Sequence, residues 1–214
     1  MRQVAVIGLG RFGSSVARTL AQSGCEVLAV DADAERVKAI VEEVTEAVQA
    51  DALDEGALKS LGLRNFEAVV VAIGHEVKAS ILATVLLKEM GVPKILAKAQ
   101  DELHGRVLRK VGADVVVFPE RDMGVRLAHT LLSRSIIDEI QLSSDYSIFE
   151  LEAPTQFLDR SLQELQLRQR FGMTILAVRR EDGVIISPEA TFTLQRGDIL
   201  VALGRADRLD RLGD

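Results

Sequence analysis

The chain reads as an α/β protein: a doubly wound parallel sheet followed by a smaller α+β module. Three observations predict this. Up to about residue 140, short β-branched apolar runs alternate with segments of helical periodicity. The first run leads into Gly8-Leu9-Gly10-Arg11-Phe12-Gly13, a G-x-G-x-x-G set between strand and helix. Beyond residue 145 the period falls to two, and an Asp-Gly turn signal appears.

The expected strands of the first part are Val4–Gly8, Glu26–Val30, Ala47–Ala50, Ala68–Ile73, Lys94–Ala97 and Asp114–Phe118. Their near-continuous apolar character suits strands covered on both faces. Between them, Ser14–Gln22, Ala34–Glu43, Asp54–Ser60, Val77–Met90 and Glu102–Lys110 read as helices, with Gly24, Gly62, Gly91 and Gly112 at their stops. A long helix is expected from Pro119 to Ile140. Pro119 suits its first turn, and Glu120 and Asp122 favour its positive end. Met123, Leu127, Leu131, Ile136, Ile137 and Ile140 give it a broad apolar surface. That surface has two readings, cover for the sheet or contact with a second subunit.

Gln141 to Asp145 reads as a linker, placing the domain boundary at 140/141. The second domain, 141–214, is expected to hold a strand about Phe149–Ala153, a helix about Ser161–Leu167 and a strand from Met173 to Val178. A hairpin turn at Glu181-Asp182-Gly183-Val184, a last strand Ile199–Leu203 and a helix from Arg205 to Leu212 complete it. A module of this size is marginal alone and is expected to pair with another copy or with the first domain.

Bulk properties narrow the function. With 214 residues, 48% of them hydrophobic, the chain can build a proper core. The charge balance of 26 Lys+Arg against 32 Asp+Glu argues against a nucleic-acid polymer as partner. Tryptophan is absent and aromatics are 4%, which argues against stacking platforms for bases or sugars. One cysteine, Cys25, forbids an internal disulfide and fits a cytoplasmic protein. There is no signal peptide and no apolar run long enough to span a bilayer, so a role at a membrane is expected to go through a partner.

The glycine loop is the strongest chemical signal. Gly8 permits the tight turn, Gly10 lets backbone approach a pyrophosphate, and Gly13 allows close packing of helix on strand. The free N–H groups at the helix start then face phosphates. Asp31 ends the second strand eighteen residues after Gly13, near the roughly 20 expected for an acid on ribose hydroxyls, and it disfavours a 2′-phosphate. Arg11 puts a guanidinium inside the loop beside Phe12, where an anion would relieve a cation at a helix N-terminus.

Asp51 follows the third strand and has two readings, an adenine contact or a cap for the next helix. His75 and Lys98 follow the fourth and fifth strands and are candidates to touch ligand, although for His75 an ordinary polar loop residue is the favoured reading. His104 and His129 show no metal-ligand spacing. No catalytic set is visible, and 141–214 contains neither His nor Cys. That weighs against an oxidoreductase, the main alternative for a nicotinamide-binding fold.

The order of Val6-Ile7-Gly8-Leu9-Gly10-Arg11-Phe12-Gly13, Val30-Asp31, Ala50-Asp51 and Phe118-Pro119-Glu120 resembles the RCK family, the regulators of K⁺ conductance. The segment Thr191 to Leu200 is similar to that family's C-terminal lobe. The resemblance implies a Rossmann-like N-lobe with a crossover helix, and a C-lobe. It implies a cytosolic regulatory subunit, not an enzyme, that gates a membrane K⁺ channel or transporter of Ktr or Trk type. Dimers within an octameric ring would change shape as ATP exchanges with ADP, or, in some members, as NAD(H) binds. By position, Gly8, Gly10 and Gly13 would cradle phosphates, Asp31 would hold ribose, and Arg11 would reach a terminal phosphate, with Lys98 adding charge. Glu120 would be an interfacial acid of a divalent-cation site, although a helix N-terminal acid explains it as well. Some C-lobes of the family bind a cyclic dinucleotide, for which Ile175, Arg179 and Pro188 are the candidates here.

Overall fold

The computed structural model describes residues 2–132, 136–143, 145–181 and 183–205. Their contacts form two compact units, Met1–Arg121 and Asp122–Asp214.

The first unit alternates β1 (Gln3–Ile7), α1 (Arg11–Gln22), β2 (Glu26–Asp31), α2 (Ala34–Lys38), β3 (Glu46–Gln49), α3 (Glu55–Ser60), β4 (Ala68–Val71), α4 (Val77–Glu89), β5 (Ile95–Lys98), α5 (Glu102–Val111) and β6 (Val115–Val117). All pairings are parallel, in the order β3-β2-β1-β4-β5-β6. That is the doubly wound order, in which the order of the parallel strands reverses between β1 and β4 and opens a crevice at the strand C-termini.

Alternation along each strand builds two cores. Ala5, Ile7, Leu28, Val30, Val69, Val71, Ile95 and Ala97 face one side, with Leu58 of α3, Leu87 of α4 and Leu108 of α5. Val4, Val6, Val27, Ala29 and Val70 face the other, with Ala17 of α1 and Ile40. Both faces are dry, which explains why the strands read as continuous apolar runs.

Helix α2 stops at Lys38, short of the expected Glu43. Glu42 and Glu43 would put acid at the negative end of a longer helix, and Glu43 instead pairs with Arg18 at 2.8 Å.

The expected helix from 119 to 140 is corrected. Helix α6 runs from Pro119 to Leu132, and Ile136–Gln141 forms a strand, β7. It pairs antiparallel with β8 (Tyr146–Glu152). Ile137 and Ile140 are β-branched and half-exposed on a sheet edge, where their branching costs nothing. Arg126 of α6 pairs with Asp138 of β7 in a two-bond contact. Leu142 and Ser143 close a turn onto Tyr146, so the expected linker is the tip of a hairpin. On α6, Met123, Val125, Leu127 and Leu131 are exposed in the single chain.

The second unit continues with α7 (Leu162–Leu165), α8 (Leu167–Phe171), β9 (Thr174–Arg180), β10 (Gly183–Ile186) and β11 (Ile199–Arg205). Its sheet has the order β10-β9-β11-β8-β7, and its pairings are antiparallel. Phe149, Phe157, Leu165, Met173, Val178, Leu194 and Leu200 fill its core. The expected single helix after Ser161 is two short ones broken at Gln166, which adopts a left-handed conformation. Ser161 and Glu164 cap α7 reciprocally. The hairpin at 181–184 forms between β9 and β10, with Asp182 outside the described residues. The expected helix from Arg205 lies outside them too, beyond Arg205 itself, which ends β11. Among the described residues no helix is long and apolar enough to cross a membrane.

Candidate functional site

The three glycines of the loop do different work. Gly8 sits at φ +96°, and a Cβ there would meet the backbone of Ala72 and Ile73 at 3.0 Å. Gly13 is constrained harder: its Cβ would lie 1.8 Å from the Gly8 carbonyl oxygen. Helix α1 therefore approaches the β1 turn as closely as a backbone can. Gly10 caps α1 in an ordinary extended conformation, and a Cβ on it would meet nothing within 4 Å. The protein itself does not require glycine at that position. The space beside it lies at the N-terminus of a twelve-residue helix, at the sheet's switch point. That is the room and the field a phosphate needs.

Asp31 is buried and already engaged. Its Oδ2 accepts from Leu9 N–H at 2.6 Å and its Oδ1 from Asp33 N–H at 2.9 Å. Arg36 approaches Oδ2 at 3.5 Å and Asp33 at 3.5 Å. A carboxylate offers about four acceptor sites, so Asp31 can clamp the glycine loop and still meet a ribose hydroxyl. Ser14 adds a second clamp, its hydroxyl donating to the Leu9 carbonyl at 2.8 Å. The Leu9 clamps and Arg36 are absent from the sequence reading. Arg36 was legible in principle, three residues after Asp33 on the same helical face.

Across the crevice, Lys98 ends β5 with its side chain 11% exposed. Its Nζ bonds a Glu120 carboxylate oxygen at 2.5 Å and lies 5.7 Å from the centroid of the Phe12 ring. A Cβ on Gly74 would come within 3.1 Å of it. The structure thus brings Phe12, Gly74, Lys98 and Glu120 together, and Arg11 acts electrostatically on Glu120. The Lys98 hydrogen bond holds the Glu120 carboxyl below the ordinary carboxylate range, with Arg11 adding to the effect and partial burial opposing it. Glu120 is 68% exposed, so water screens the pair and its net worth is about 1 kcal/mol or less.

Asp51 and His75 stand apart from this group. Asp51 is exposed, and its carboxylate accepts from Leu53 N–H at 2.9 Å. The cap of α3 is Asp54, which accepts from Ala57 N–H. His75 is exposed in the loop after β4. Among the described residues no group of three or more His, Cys, Asp or Glu could hold a metal, so Glu120 has no metal-binding companions there.

The loop that follows Lys98 is held by a buried histidine. Gln100 N–H donates to His104 Nδ1 at 3.3 Å, and Nε2 has no hydrogen-bond partner. Burial pushes the His104 pKa down, and Asp101 opposes this. The folded state therefore binds the proton less readily than the unfolded chain. Stability from this residue is complete above about pH 6.5 and is lost as pH falls below it. Denaturant titrations at pH 7 and pH 5.5 are expected to show lower stability at the acid value, with a smaller difference in His104→Gln.

The family-model comparison matches the TrkA-N domain over residues 4–119 and the TrkA-C domain over residues 146–214. The chain is 43% identical over 210 residues to the Ktr system potassium uptake protein C of Bacillus subtilis, covering 98% of this chain and 95% of that protein. It is 44% identical over 210 residues to protein A of the same system and organism, with the same coverage. The identity to the Ktr system potassium uptake protein A of Vibrio alginolyticus is 38% over 208 residues, 97% of this chain and 94% of that one. Among solved structures, the GsuK RCK domain matches with a TM-score of 0.70 at 20% identity, over 99% of this chain and 47% of that one. The GsuK channel bound to NAD matches with a TM-score of 0.68 at 20% identity, over 97% and 38%. These two share the fold. With both domain models matched in order and the Ktr relatives aligned almost end to end, the chain belongs to the TrkA-N/TrkA-C family of potassium-uptake proteins.

Proposed function

We propose that this chain is a nucleotide-sensing regulatory subunit that gates a membrane potassium channel or transporter of the Ktr type. The bound nucleotide is its signal and not its reagent, so the chain is not an enzyme. The observation that carries this reading is the open space beside Gly10, faced by the α1 N-terminus, with Arg11 in the same motif and Lys98 near the Phe12 ring. ATP and ADP are the proposed ligands. In this reading Gly8, Gly10 and Gly13 frame the phosphates, Asp31 meets the ribose, and Arg11 meets the terminal phosphate. Asp51 borders the adenine, and His75 in the loop after β4 is a further candidate contact to the ligand.

ATP and ADP differ by one anionic group, and a ligand can shift an equilibrium only through unequal affinity for its two shapes. Arg11 is exposed at the mouth of the loop and provides that inequality. The proposed assembly is a homo-oligomer, dimers in an octameric ring on the cytoplasmic side of the membrane. The exposed Met123, Val125, Leu127 and Leu131 of α6 are apolar surface that a second copy would cover. A divalent cation would sit between copies, with Glu120 among its ligands. The Ktr relatives support the membrane partner. A second reading, NAD(H) as ligand, is favoured by the NAD-bound GsuK channel of the same fold.

Calorimetric titration of ATP, ADP and NADH into the wild type, Gly10→Ala and Arg11→Ala tests the proposal. Gly10→Ala clashes with nothing in the protein, so it is expected to fold normally and to lose nucleotide affinity at least about tenfold. Arg11→Ala is expected to lose more affinity for ATP than for ADP. Equal losses for both would overturn the sensing role, and unchanged affinity in Gly10→Ala would overturn the site.

A further inference from the structure

We infer that Glu120 is an internal competitor for the ligand's phosphates: its carboxylate occupies Lys98, the cation that faces the glycine loop, and so sets which nucleotides bind. The inference rests on the nucleotide reading above and concerns selectivity within that site.

The pair is built asymmetrically. The Lys98 side chain is 11% exposed, and its Nζ lies beside the Phe12 ring, the bare backbone of Gly74 and Glu120. Glu120 is two-thirds exposed on the first turn of α6, with water on the side away from Lys98. An arriving anion therefore finds a mostly buried cation and an exposed counter-charge. Phe12 belongs to the same loop whose N–H groups would hold the phosphates, so an anion seated there lies on the Lys98 side of the crevice.

The exchange is a substitution of one anion for another at Lys98, with no net burial of charge. It favours ligands with a second phosphate, which carry enough charge to replace the carboxylate. In this inference a monophosphate is held by the helix N-terminus, and it is the next phosphate that meets Lys98. Displacement also removes the tie between the first turn of α6 and β5, while Arg121 keeps its contact with Glu102 of α5. Without Glu120 the cation stands open, and the advantage of a second phosphate grows because no carboxylate has to be displaced.

The test uses the full chain in EDTA, so that no divalent cation contributes, with ADP and AMP titrated calorimetrically into the wild type, Glu120→Gln, Lys98→Met and the double variant. Glu120→Gln is expected to bind ADP about fivefold more tightly than wild type, near the worth of a screened ion pair, with little change for AMP. Lys98→Met is expected to weaken ADP, and Glu120→Gln to have no further effect in that background. Unchanged or weaker ADP binding in Glu120→Gln overturns the inference, and an equal gain for AMP does so too. Glu120 is exposed, so this arm stands even where Lys98→Met fails to fold. Failure of wild type to bind ADP at all overturns the nucleotide reading itself, a result distinct from an inert Glu120→Gln.

Discussion

Gly13→Ala is expected to cost the first unit about 3 kcal/mol of stability, the upper end for overpacking, and to abolish nucleotide binding with it. The added Cβ would lie 1.8 Å from the Gly8 carbonyl oxygen and 3.0 Å from Ala72 Cβ. No side-chain rotation relieves a clash with a backbone oxygen. Either α1 moves away from β1 or the turn at Gly8 opens. Both routes break the Leu9–Asp31 and Ser14–Leu9 bonds that shape the loop. Denaturant unfolding followed by far-UV circular dichroism measures the first loss, and titration of ADP the second. The contrast with Gly10→Ala is diagnostic, because the two glycines stand three residues apart in one motif. One variant is expected to fail in folding and the other only in binding. Equal stability of Gly13→Ala and wild type would mean that α1 does not sit against β1 as described.

Asp198→Ala is expected to destabilise the second unit by about 3 kcal/mol, near the lower end for breaking a buried ion pair. Asp198 is fully buried, and its two oxygens take Arg180 Nε and Nη2 at 2.7 Å each. Gln195 N–H adds a third bond at 2.8 Å, which closes the turn before β11. Arg180 retains 31% exposure and lies over the Phe192 ring, so water can rehydrate part of it, and the cost stays below that of a sealed pair. The Arg180 hydrogen bonds hold the Asp198 carboxyl below the usual carboxylate range. A depressed folded pKa means that the pair's contribution is complete above about pH 4 and is lost as pH falls below it. Between about pH 4 and pH 2 the wild type is expected to lose stability more steeply than Asp198→Asn. Parallel curves would show that Asp198 is not the group responsible.

These two cases mark what a sequence reveals. Gly13 was legible because its requirement is local: a glycine at a fixed offset from a turn, with the partner backbone five residues away. The Asp198 pair was not, since its partner lies eighteen residues back on another strand, and Arg196-Gly197-Asp198 reads only as a turn. The end of α6 failed for a related reason. Apolar residues at 131, 136, 137 and 140 fit one helical stripe as well as a helix followed by an edge strand. Pairing of Ile136–Gln141 with β8 decided between them, and that partner is chosen by the whole second sheet.

By itself the sequence determined the doubly wound sheet, its six strands, the glycine loop and the strand-end positions of Asp31 and Lys98. Each depends on the period of apolar residues or on conformational freedom at a named glycine, and both are properties of short segments. Only the tertiary structure decided that Asp31 clamps Leu9, that Gly10 is open while Gly13 is closed, and that Lys98 is occupied by Glu120. Those facts depend on which strand ends lie side by side, and the folding of the sheet brings together residues 22 positions apart.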